Sequence, residues 1–217
     1  MLFQVPDVLS ADELGQIQTE LATAEFVDGK TTAGWYAKQV KNNQQLSRDT
    51  STSLEATVKA ALGRHPLFQV AVRPKQIHSL RFSRYDVGMS YGTHADNAMM
   101  SGYRADVSFT LFLSEPTAYE GGELVIEGAD DEQAYQLAAG SALVYPSSTL
   151  HRVNPVTQGQ RLVVVGWVQS LIRDPAQREL LFDIDTARRS LFAQYGKTAE
   201  FDLLSKSVSN LLRRWVD

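Results

Sequence analysis

From about residue 70 the chain takes on a period of two. Short runs rich in β-branched and aromatic residues alternate with turn residues, at 76–85, 106–113, 122–127, 141–145 and 161–169. Successive side chains of a strand point to opposite faces. Val107, Phe109, Leu111 and Leu113 therefore share one side, and Arg161, Val163, Val165 and Trp167 share one side of theirs. Gly-Gly, Glu-Pro, Tyr-Pro and Asn-Pro pairs punctuate the joins. Short strands at this spacing suggest an antiparallel sandwich or barrel, and a double-sheet jelly roll is the natural candidate.

Helical signals flank this stretch. Ser10 and Glu13 make a capping box ahead of Leu14, Ile17 and Leu21 on one face. A short strand is expected at 35–41. Thr52 and Glu55 open a second helix, with Leu54, Val58 and Leu62, that stops at Gly63. Asp174, Pro175 and Gln177 start another, which ends near Gly196. A last helix spans about 198–215, with Phe201, Leu204, Val208, Leu211 and Trp215 along one stripe. The expectation is a mainly β protein with flanking helices. Residues 1–75 form a helical and strand support, 76–170 a double-stranded β-helix (jelly roll) core, and 171–217 a C-terminal helical appendage. That appendage packs on the barrel or on a twin, and its stripe suggests a homo-oligomer through the C-terminal helices.

Bulk properties narrow the function. The 217 residues suit one domain with a small appendage, and the hydrophobic fraction of 43% allows a real core. The net charge of -4 gives no footprint for nucleic acid or an anionic membrane. No cysteine is present, so disulfides, thiolate nucleophiles, iron–sulfur clusters and Cys-type zinc sites are excluded. The first residues lack a signal-peptide pattern and no run is long enough to span a bilayer. A soluble, cytoplasmic protein is expected.

The histidines number four: His65, His78, His94 and His151. His94-Ala-Asp96 alone is weak evidence. Its setting strengthens it, because it follows Tyr91-Gly92-Thr93 at the exit of an expected strand, and His151 follows a second strand and the turn Pro146-Ser-Ser-Thr. Two imidazoles and one carboxylate on one face of a metal leave the opposite positions open, which is the arrangement of non-haem iron(II) oxygenases. Two vacancies suit a bidentate 2-oxo acid and one suits dioxygen. His94 and Asp96, two apart on an extended segment, point the same way. Arg161 opens the last strand, where its planar fork can bind the far carboxylate of a dicarboxylate co-substrate.

These residues carry a family resemblance. The segments Tyr85-Asp-Val-Gly-Met-Ser-Tyr-Gly-Thr-His94-Ala-Asp96, Glu120-Gly-Gly-Glu-Leu, Tyr145-Pro-Ser-Ser-Thr-Leu-His151-Arg-Val and Gly159-Gln-Arg161 resemble 2-oxoglutarate oxygenases of the prolyl 4-hydroxylase type. The bacterial PKHD-type hydroxylases are the nearest group, and the tail from Val168 to Asp174 resembles them too. The resemblance implies a double-stranded β-helix, with Fe(2+) on His94, Asp96 and His151 and 2-oxoglutarate on Arg161. It implies dioxygen as the second co-substrate, hydroxylation with succinate and CO2 as co-products, and L-ascorbate as a reductant for the iron. In the animal collagen enzymes a lysine binds the carboxylate; Arg161 follows the bacterial pattern. Tyr85 is a candidate for a hydrogen bond to the far carboxylate, with Tyr91 nearby as its competitor. The group's association with iron uptake admits a small-molecule substrate beside a peptidyl one.

Other readings stand beside this one. A Zn or Mn hydrolase or isomerase with a cupin-like site would leave Arg161 without a purpose. A sensor on a jelly roll would bind metal and 2-oxoglutarate yet turn over slowly. His65 and His78 read as structural, Arg104 and Arg152 as surface residues, and Glu120-Gly-Gly-Glu123 as a hairpin turn.

Overall fold

Backbone alternation on this scale resolves into two facing antiparallel sheets. The computed structural model describes residues 1–47 and 52–217. One sheet has seven strands, in the order Phe3–Val5, Ala142–Pro146, Val107–Phe112, Arg161–Ser170, Pro74–Tyr85, Gln44–Leu46 and Phe26–Asp28. The other has five: Glu132–Tyr135, Leu124–Glu127, His151–Val153, Ser90–His94 and Lys41–Asn42. From Pro74 onward the chain passes back and forth between them, which is the winding of a jelly roll. Between the sheets lies a core of Tyr85, Phe112, Leu143, Tyr145 and Val163 from one and Leu124, Ile126 and Val153 from the other.

The outer face of the larger sheet is covered by helices α1 (Ala11–Thr23), α2 (Thr52–Arg64) and α3 (Pro66–Val72). Ile17, Leu21, Leu54, Val58, Leu62 and Phe68 pack there against Val107, Phe109, Leu111 and Val164. Every residue of Val107–Phe112 is therefore buried, Val107, Phe109 and Leu111 against the helices and Phe112 in the barrel. The capping box is as expected: Ser10 accepts from Glu13 N, and Glu13 from Ser10 N at 2.9 Å.

Helices α4 (Pro175–Tyr195) and α5 (Ala199–Trp215) begin close to where expected and are capped by Asp174 and Thr198. They form an antiparallel pair turned at Gly196. Within the chain, Val208, Leu211 and Trp215 pack with Ile172 and Leu181. The C-terminus returns to the barrel, where Asp217 N donates to Leu171 O at 3.1 Å. Among the described residues no helix is long and apolar enough to cross a membrane.

Two expectations are corrected, and one helix is added. The strand at 35–41 is instead a turn and a short 3-10 helix, Ala37–Gln39, and strand pairing begins only at Lys41. Tertiary contact overrides the aromatic and β-branched composition here: Tyr36 Oη donates to Ala95 O at 2.9 Å, docking the segment on the His94–Asp96 stretch. The helix α3 had no counterpart in the sequence reading; His65 caps it by accepting from Phe68 N, with Pro66 in its first turn. The Glu120-Gly-Gly-Glu123 stretch is not a hairpin. Tyr119–Gly121 pairs with Val156–Gly159, whereas Leu124–Glu127 pairs with Glu132–Tyr135 and His151–Val153, so the glycines turn a corner between sheets.

Candidate metal centre

Strand pairing brings the two distant histidines together. His94 ends Ser90–His94, His151 begins His151–Val153, and the two are direct cross-strand partners with ring centroids 4.3 Å apart. Asp96 lies just past the strand end. His151 Nε2 is 3.9 Å from Asp96 Oδ2, and one potential ligand atom from each of the three residues falls within 4.8 Å of the others. All three line a cavity of about 300 Å3 that also takes in Arg161 and Tyr85.

The surrounding hydrogen bonds fix which nitrogen faces inward. His94 Nδ1 is 2.9 Å from Gly92 O, and His151 Nδ1 is 3.0 Å from Thr149 O. A carbonyl only accepts, so each Nδ1 carries a proton and donates outward, which leaves each Nε2 as the nitrogen available to a metal. Burial, and next the neighbouring His151, hold His94 down to about 4. His94 is thus neutral at ordinary pH. Tyr91 stacks on it at 3.7 Å between centroids, so of the two candidate tyrosines Tyr91 belongs with the histidine.

Asp96 has a partner that the sequence reading missed. Ser108 Oγ donates to Asp96 Oδ2 at 2.6 Å and lies 2.8 Å from Ser147 Oγ. A signal was present: Ser108 and Thr110 are small polar residues in an otherwise apolar strand, on the face opposite Val107 and Phe109.

The cavity follows the inner face of Arg161–Ser170, with Arg161 at its start and Val165 and Trp167 farther along. Arg161 is only 1% exposed, and its Nε and Nη1 are buried with no hydrogen-bond partner among the described residues. Tyr85 is its cross-strand partner, and the guanidinium carbon sits 5.0 Å from that ring's centroid. Tyr119, also missed, lies near enough to feel the Arg161 charge, and its buried hydroxyl has no hydrogen-bond partner of normal geometry among the described residues. Burial pushes both phenols up, so both stay protonated. Gly122 makes room here. At φ +66° it adopts the left-handed region, and a Cβ on it would stand 3.1 Å from Arg161 Cδ and 2.9 Å from Val156 Cγ2.

His78, Arg104 and Arg152 have structural partners. His78 is buried with Nε2 3.0 Å from Arg104 O. Arg104 and Arg152 are ion-paired, with Asp106 at 3.2 Å and Glu132 at 2.6 Å respectively, rather than free at the surface.

Comparison with known proteins agrees with this geometry. Residues 80–169 match the 2OG-Fe(II) oxygenase superfamily. Among solved structures, a prolyl-4-hydroxylase of Pseudomonas putida aligns with a TM-score of 0.53 at 20% identity, covering 78% of this chain and 92% of that one. The epimerase SnoN of nogalamycin biosynthesis, described as non-heme and alpha-ketoglutarate dependent, aligns at 0.57 and 15% identity, covering 79% and 78%. The protein is an Fe(II)- and 2-oxoglutarate-dependent oxygenase. Residues 175–217 match the PKHD-type hydroxylase C-terminal domain. PKHD-type hydroxylases of Picosynechococcus sp. and Gloeothece citriformis are each 65% identical to it, over 99% and 100% of both chains. The chain belongs to the PKHD-type hydroxylases. Membership implies Fe(II), 2-oxoglutarate and dioxygen as cofactor and co-substrates, and the His94, Asp96 and His151 cluster is the candidate iron site.

Proposed function

We propose that the enzyme hydroxylates a C–H bond of a peptidyl or small-molecule substrate. One oxygen atom of O2 enters the product; the other enters succinate as 2-oxoglutarate loses CO2. His94, Asp96 and His151 hold Fe(II), and Arg161 with Tyr85 holds the far carboxylate of 2-oxoglutarate. The observation that carries this reading is the buried Arg161 guanidinium with two unpartnered nitrogens. Such a group is costly to bury alone and suits a carboxylate accepting from its fork.

Bound Fe(II) supplies the dioxygen chemistry and the oxidising power. The chain's own residues do the positioning. Gly92 O and Thr149 O orient the imidazoles, and Ser108 fixes the carboxylate rotamer of Asp96. Tyr85 stays a neutral phenol and can donate to the co-substrate. The apolar walls formed by Leu124 and Val153 limit water near the reacting centre.

An anaerobic titration with Fe(II) and then 2-oxoglutarate tests the reading, followed through the visible charge-transfer band of the chelate. The band is expected in the folded wild-type protein, and its absence would overturn the assignment. Tyr85→Phe should weaken 2-oxoglutarate by about ten- to a hundredfold, the loss of one hydrogen bond to a charged group. Unchanged affinity removes Tyr85 from the site. Ser108→Ala should lower Fe(II) affinity by about tenfold, the lower end for an outer partner of a metal ligand. Competition with a chromophoric chelator measures it, and wild-type affinity would reduce Ser108 to a packing role.

A further inference from the structure

Lys41 has no part in the reading above, yet it lines the same cavity. It lies on the edge strand Lys41–Asn42, opposite Tyr91 in register, and is only 6% exposed. Its Nζ donates to Thr32 Oγ1 at 3.1 Å and stands 5.2 Å from the centroid of the Tyr91 ring, the ring stacked on His94. Thr32 Oγ1 donates onward to Gln45 Oε1 at 2.6 Å, and Gln45 Nε2 reaches Ser83 Oγ at 3.4 Å. A relay of neutral groups thus aims the ammonium at a wall of the metal cavity.

An ammonium offers three N–H donors, and the Thr32 hydroxyl takes one. Among the described residues no carboxylate comes within ion-pair distance of Lys41; Asp96 and Asp28 attract it only from farther away. Burial, and next the charge of Arg81 on the same cavity lining, lower Lys41 to about 8, so it is mainly protonated at neutral pH. The loaded site does not balance it. Fe(II), Asp96, the 2-oxoglutarate dianion and Arg161 together carry no net charge, so they do not offset Lys41, and Arg81 on the same lining adds positive charge. A nearly dry, incompletely bonded cation in a binding cavity is costly to hold, and an anion that arrives there relieves the cost.

We propose that Lys41 recognises an anionic primary substrate, accepting its carboxylate or phosphate group beside the metal. This rests on the proposed function and adds the chemical class of the substrate. An uncharged isostere would leave the ammonium unsatisfied, so the site discriminates by charge as well as by shape.

The test uses anaerobic Fe(II)- and 2-oxoglutarate-loaded protein, with butyrate, methyl phosphate and butyramide as probes, followed by calorimetry and by perturbation of the charge-transfer band. In the wild type one or both anions should bind about tenfold or more tighter than the amide. The anion preferred identifies the group. Lys41→Met should erase the preference while the 2-oxoglutarate band persists, and Lys41→Arg should keep it. Equal binding of anions and amide in the wild type overturns the inference, as does a preference that survives in Lys41→Met. A Lys41→Met protein whose 2-oxoglutarate affinity falls while anion preference stays would assign Lys41 to the co-substrate instead, and overturns it too. Absence of the band in the wild type strikes the site reading itself; a normal band without anion preference strikes only this inference.

Discussion

Replacing His94 with alanine is expected to abolish succinate formation and to lower Fe(II) affinity by about a hundredfold or more, beyond what loss of an outer partner costs. The geometry leaves little room for a substitute. His94 Nδ1 is tied to Gly92 O at 2.9 Å and Tyr91 stacks on the ring, so the Nε2 position is set by two independent contacts. With burial and His151 holding His94 down to about 4, no proton competes with the metal at neutral pH. Deleting the imidazole leaves His151 and Asp96, whose closest approach is 3.9 Å. The control is His78→Ala, which also removes a buried histidine but one bonded to Arg104 O at 3.0 Å. That variant should lose stability and keep its metal. Anaerobic Fe(II) binding and succinate assays, with circular dichroism to verify folding, read both. A folded His94→Ala protein that binds iron and makes succinate at the wild-type rate would remove His94 from the centre.

Much of this site was legible because its chemistry needs rare residue types at short spacing. His94-x-Asp96 sits where a strand ends, His151 follows a second strand, and Arg161 opens a third, so the rare residue types, read against the period-two patterning, marked all four as candidates. The neighbours of these residues were not legible for a physical reason. Ser108, Tyr119 and Lys41 reach the site only through pairing of strands distant in sequence; Ser108 stands out locally as a polar residue in an apolar strand, whereas nothing local distinguishes Tyr119 and Lys41 from other tyrosines and lysines. Short strands were lost for a related reason. Lys41–Asn42 and Phe26–Asp28 have two or three residues, too few for any periodicity to register, and they exist because the longer strands offer them an edge. The segment at 35–41 failed in the opposite direction. Its composition favours a strand, but docking through Tyr36 on Ala95 imposes a turn. The stripe of α5 was read correctly as apolar, and much of it is spent inside the chain against Ile172 and Leu181.

Arg161→Met is expected to move 2-oxoglutarate affinity and ligand-free stability in opposite directions. On the binding side, a carboxylate in the Arg161 fork gains charge-assisted hydrogen bonds in a dry site, together worth about 3 kcal/mol, so the variant should bind about a hundredfold more weakly. On the stability side, Arg161 is 1% exposed and two of its nitrogens lack partners, so the ligand-free fold carries an unsatisfied buried cation. Even a buried ion pair is often replaced by apolar side chains at no cost or with a gain of about 1–4 kcal/mol, and a guanidinium with unpartnered nitrogens has less to lose. The rings of Tyr85 and Phe112, with centroids 5.0 and 5.6 Å from the guanidinium carbon, offset part of that cost. A net gain of about 1 kcal/mol would raise Tm by about 2–4 °C in a chain of this size. Saturating 2-oxoglutarate should reverse the order, because ligand binding stabilises only the protein that holds it tightly. Thermal melts with and without 2-oxoglutarate therefore separate two roles that an activity assay confounds. A methionine variant that melts far below the wild type in both conditions would mean that Arg161 is a structural cation with partners inside the barrel. The crossing of the two curves would mean that the fold bears the strain of an unpaired guanidinium in order to have it ready for a carboxylate.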